Sequence, residues 1–83
     1  MMPTVASALG AARSAFESIG IPAPLQDAET LMMHVLQVNR TALVADSSRV
    51  LSAGESAAFD ACMSRRLTRE PVHYITGWVE FYE

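Results

Sequence analysis

Apolar residues recur every three or four positions from the start of the chain, and that period demands helices. Val5, Leu9, Ala12, Phe16 and Ile19 stand at steps of four, three, four and three, so they share one helical face. Alanines at positions 6, 8, 11, 12 and 15 raise helical propensity and let a neighbour approach closely. Thr4 is a natural N-cap and Gly20 a natural stop, after which Pro22 and Pro24 are expected to keep the chain extended. Gly10 lies inside this helix at a cost of about 1 kcal/mol against alanine, which a close helix contact would explain.

The same period continues downstream. A second helix is expected over residues 26–37, with Ala28, Leu31, Met32, Val35 and Leu36 as its buried stripe. Asp27 and Glu29 would sit in its first turn, where the helix dipole favours acids. A short third helix should follow Asn39 or Arg40 and contribute Leu43 and Val44 to the core, ahead of a polar loop at residues 46–49. Ser52-Ala53-Gly54-Glu55 has the form of a capping box. The helix it opens would turn Phe59, Cys62, Met63 and Leu67 inward and end in Arg65, Arg66 and Arg69, whose charges offset the negative pole.

Composition narrows the function classes. A single domain is the most that 83 residues allow, and at 51% apolar and 18% charged the chain is too hydrophobic for disorder. Six basic residues against nine acidic give a net charge of −3, unlike the strong basic excess of a nucleic-acid domain. No run of about 18 apolar residues is present, so no membrane span is expected. Met1-Met2-Pro3-Thr4 lacks the basic start of a signal peptide. The single Cys62 can form no internal disulfide, which fits a reducing cytoplasm.

Three chemical readings fail on spacing. Asp27 and His34 share a helix face but stand two turns, roughly 10 Å, apart, and Glu29 points elsewhere. No second His or Cys follows His34 at the spacing that zinc needs, so His34 reads as structural and no metal site is expected. Asp27 would cap the helix or pair with an arginine. Cys62, inside an apolar stripe, reads as an inert thiol despite His34 and His73 as conceivable bases. No glycine-rich phosphate loop is present, so no nucleotide site is expected.

The chain's last segment, residues 69–83, changes backbone behaviour three times. Pro71 suits the first turn of a short helix, and Gly77 can enter positive φ and end it. Tyr74 should lie on the inner face of that turn, against the long helix. Trp78 to Tyr82 then reads as a strand, and no partner strand is in sight, so a continuation beyond Glu83 is expected. Glu70-Pro71-x-x-Tyr74-Ile75-x-Gly77-x-x-Glu80-Phe81-Tyr82 resembles the junction segment of the protein-glutamine N-methyltransferases that modify peptide chain release factors, the HemK/PrmC family. Leu25-x-Asp27-Ala28-Glu29-x-Leu31-x-x-His34-Val35-Leu36, followed by Asn39-Arg40-Thr41-x-Leu43, is a second match in the right order. Glu83 stands where the family usually has glycine.

The fold expected is therefore an all-α bundle of four or five short helices, ending in the first strand of an interdomain β-hairpin. The resemblance implies a helical N-terminal substrate-recognition domain over residues 1–76, with 77–83 starting the link to a methyltransferase domain. It implies S-adenosylmethionine as methyl donor in the full-length parent and none in this segment. The glutamine of a Gly-Gly-Gln motif in a release factor would be the target, and another glutamine-containing protein, such as a ribosomal component, is the alternative. The partners implied are that protein and the chain's own catalytic domain, with neither nucleic acid nor membrane. Candidate contacts to them are Arg65, Arg66, Arg69, Glu70, Pro71, Tyr74, Gly77, Trp78, Phe81 and Tyr82. A free-standing helical interaction module is the rival from another class, and the arginines would then be a solvated helix end.

Overall fold

The computed structural model describes residues 2–77. Five helices follow one another: α1 (Val5–Ser18), α2 (Pro24–Leu36), α3 (Arg40–Ala45), α4 (Ala53–Leu67) and α5 (Val72–Thr76). The all-α expectation holds, while the strand expected at 78–82 lies outside the described residues. No helix among the described residues is long and apolar enough to cross a membrane.

Capping fixes where α1 and α4 begin. The Thr4 hydroxyl accepts from the Ser7 amide at 3.1 Å, and the Ser7 hydroxyl accepts from the Thr4 amide at 2.9 Å. Ser52 and Glu55 repeat the exchange at α4, with distances of 3.1 and 2.9 Å. Asn39 caps α3 through the Ala42 amide at 2.9 Å. Helix α2 begins two residues earlier than expected, because Pro24 opens it instead of extending the chain. Proline has no N–H to leave unsatisfied there, and its φ is already helical.

The core forms around α2, which touches each of the other four helices. Ala28, Leu31 and Met32 of α2 are fully buried against Val5, Ala12 and Phe16 of α1 and Phe59 of α4. Leu9, Ile19, Val35, Leu36, Cys62, Met63 and Leu67 are half-buried at its margin, on the faces their spacing requires. Two expected features differ. Val44 is 65% exposed, since the six residues of α3 bring only Leu43 to the core. Gly10 faces open space and meets no helix.

Loops complete the core. Ile21 and Leu51 are buried outside the helices. Leu51 is held because the chain ahead of α1 pairs with the chain ahead of α4: its amide donates to the Pro3 carbonyl at 2.8 Å. Thr4 and Val50 form an antiparallel bridge, flanked by Val5 N–H to the Arg49 carbonyl at 2.9 Å.

Candidate functional site

The end of α4 and the start of α5 form an elbow built from backbone and arginine. At the end of α4 the Arg69 amide donates to the Arg66 carbonyl at 2.9 Å, and the Glu70 amide to the Arg65 carbonyl at 3.3 Å. This is the Schellman pattern, which needs a left-handed residue at its centre. Arg69 fills that position at φ 70°. A side chain there costs roughly 1–2 kcal/mol, which glycine would avoid. The offsetting contact is its guanidinium, which donates to the Ile19 carbonyl at the end of α1. There the side chain satisfies a carbonyl that the helix end leaves open and places a cation at its negative pole.

Its neighbours are engaged as well. Arg66 Nε donates to Asp27 Oδ2 at 3.0 Å, joining α4 to the first turn of α2, and its Nη1 donates to the Glu70 carbonyl at 3.2 Å. This ion pair is half-buried, with side chains 15% and 21% exposed. Arg65 holds Glu70 by two donors, Nε at 3.0 Å and Nη2. Asp27 thus pairs with an arginine, as expected. Glu29 lies beyond the first turn of α2 and pairs instead with Arg40.

The hydrogen bonds from Arg65 hold the Glu70 carboxyl below its ordinary range, against burial, which raises it. The Ser52 amide does the same for Glu55, opposed by burial and helped by Arg49. Both folded values lie below the unfolded ones. The stability they contribute is therefore complete above the ordinary glutamate range near about pH 4.3 and is lost as pH falls through the lowered values. Glu70→Gln should flatten the acid limb of a melting-temperature profile, and an acid limb superimposable on that of the parent would refute the linkage.

Pro71 precedes α5 at φ −61°, and its carbonyl accepts from the Tyr74 amide at 3.0 Å and the Ile75 amide at 3.3 Å. Gly77 ends the turn at φ 80°, ψ 64°, as its sequence position predicts. Tyr74 does not face inward: it is 56% exposed and meets His73 edge-on, with ring centroids 4.9 Å apart. Ile75 and Thr76 take the inner face, and successive helical residues diverge by about 100°, so Tyr74 turns outward. Trp78, Phe81 and Tyr82 lie outside the described residues.

A second feature escaped sequence reasoning. A groove of about 400 Å³ runs between the end of α2 and α5, lined by Thr30, Met33, His34, Gln37, Val38 and Asn39. Thr76 completes its wall, and the Thr76 hydroxyl is buried without a hydrogen-bond partner. Gln37 takes a left-handed conformation at φ 57°, with its side-chain amide donating to the His34 carbonyl at 2.7 Å. His34 and Asp27 are thus committed to different surroundings. No group of three potential metal ligands exists among the described residues. Burial raises the Cys62 pKa against the lowering effect of Arg65, so the thiol is poorly nucleophilic.

The family described as PrmC N-terminal domain matches residues 7–77, from the first turn of α1 to the glycine that ends α5. The chain belongs to that family. A PrmC N-terminal domain is thus the unit whose elbow and groove are described above. It is 38% identical over 79 residues to a release factor glutamine methyltransferase of Koribacter versatilis, covering 95% of this chain and 28% of that protein. A release factor glutamine methyltransferase of Caulobacter vibrioides is 35% identical over 83 residues, 100% of this chain and 29% of that protein. A bifunctional methyltransferase of Rickettsia typhi is 35% identical over 82 residues, 99% of this chain and 16% of that protein. The chain spans less than a third of the length of these curated relatives. No solved structure matches it significantly.

Proposed function

We propose that this PrmC N-terminal domain recognises the protein substrate of a methyltransferase that modifies the glutamine of a Gly-Gly-Gln motif in peptide chain release factors. One observation carries the reading: a match over 95% of this chain to proteins named release factor glutamine methyltransferase, of whose length it makes up 28%. On this reading residues 1–76 form the recognition domain and residues 77–83 begin the link to a catalytic domain. The candidate contacts to that domain or to the substrate are Arg65, Arg66, Arg69, Glu70, Pro71, Tyr74, Gly77, Trp78, Phe81 and Tyr82.

S-adenosylmethionine is the donor proposed for the full-length protein. Such a molecule needs an enclosing cleft, which this reading assigns to the catalytic domain. The domain's part is then to raise the local concentration of substrate at the catalytic domain and fix its direction of approach.

The test is competition. The isolated chain, in excess, should slow methylation of an intact release factor by a full-length methyltransferase of this family, and leave methylation of a short Gly-Gly-Gln peptide unchanged. No slowing, or equal slowing of both substrates, would rule out recognition by this domain.

A further inference from the structure

We propose that the groove between the end of α2 and α5 is where the domain grips its partner, and that it takes an extended, uncharged segment of that protein. This rests on the reading that the domain docks a protein substrate. Three observations converge on the groove. Among the described residues its lining contains no Asp, Glu, Lys or Arg, and none of the five ion pairs between described residues involves a residue of that lining. A charged segment would find no carboxylate, ammonium or guanidinium among those residues to pair with. Met33 and Val38 offer an apolar wall for one side chain, and Thr30, Gln37 and Asn39 set hydroxyl and amide groups beside it. That mixture of apolar surface with both donors and acceptors suits a peptide backbone, which carries one of each at every residue.

The remaining observation is the one a purely structural surface leaves unexplained. The Thr76 hydroxyl is buried and unpartnered, and native domains rarely leave such a group unsatisfied. Gln37, beside it, is the left-handed cap that ends α2, its amide donating to the Met33 carbonyl. A segment laid along the groove supplies the partner that Thr76 lacks. Reaching the hydroxyl requires a small outward shift of α5, a helix of five residues with no side-chain cap at its start.

The experiment separates grip from structure by reading affinity and stability together. The 83-residue chain is titrated calorimetrically with an intact release factor, and the melting temperature of each variant is measured without it. Thr76→Val keeps the shape and removes the hydroxyl; it should weaken binding by about tenfold. In the free chain it should raise the melting temperature by about 4–8 °C, because an unsatisfied group has gone. Gln37→Gly relieves the strain and deletes the amide, so it too should bind more weakly without melting earlier. Arg13→Ala, outside the groove, is the control and should bind as the parent does. If the parent binds and both groove variants bind equally well, the groove is overturned and the recognition role stands. If the parent does not bind at all, both fall. If Thr76→Val melts earlier than the parent, the hydroxyl is a structural group and the groove assignment is wrong.

Discussion

Phe16→Ala should cost this domain about 3–5 kcal/mol and abolish its cooperative melt. The ring is fully buried on α1 and shares one core cluster with Ala28, Leu31 and Met32 of α2, around which the other helices are arranged. Its removal loses apolar burial and leaves a cavity that rigid helices fill only in part. A chain of this length commands only about 4–12 kcal/mol in total, and a small chain with a high surface-to-volume ratio lies toward the low end. Far-ultraviolet circular dichroism during heating is the measurement. A variant melting as sharply as the parent, and within a few degrees of it, would show that the core is not centred on α1 and α2. Val44→Ala gives the contrast, since a side chain 65% exposed should matter by less than about 0.5 kcal/mol.

Gly77→Val should have the largest effect on activity. Gly77 closes α5 at φ 80°, where a β-branched residue is a strong outlier, so valine must redirect the chain leaving the domain. On the proposed reading that direction sets how far the recognition surface stands from the transferred methyl group. A displacement of about 1 Å can cost about a hundredfold in rate. In the full-length protein, methylation of an intact release factor should fall by about that factor, and methylation of a short glutamine peptide much less. Equal losses on both substrates would mean that the elbow serves catalysis or folding generally and not substrate placement.

The beginnings of helices were legible in the sequence, and their ends only sometimes. Thr4, Asn39 and Ser52 cap as their chemistry requires, because the partner amides lie within three residues. Gly20 and Gly77 mark left-handed stops by the absence of a side chain. Gln37 and Arg69 occupy the same kind of stop with no such mark. Arg69 is stabilised by Ile19, fifty positions away, and nothing local announces that. Pro24 opens α2, and a proline inside an extended segment looks the same in sequence as one opening a helix until the next turn packs.

The candidate site divides along the same line. The elbow could be located from Pro71 and Gly77, since each dictates its own backbone angle. Its face could not: whether Tyr74 or Thr76 turns inward depends on where α5 settles on the rest of the fold. The groove was invisible because Gln37 and Thr76 meet only after α2 and α5 have assembled.

The pairing of Thr4 with Val50 and the tie from Arg69 to Ile19 carry a consequence for the moment of synthesis. A nascent chain ending before α4 can form α1 and α2, but it lacks Phe59, and one ending before Arg69 leaves the Ile19 carbonyl at the end of α1 without its donor. The ribosome must therefore deliver nearly the whole domain before any part of it is secure. Until then its apolar stripes stand open to chaperones, in an interval set by elongation at about 5–20 residues per second.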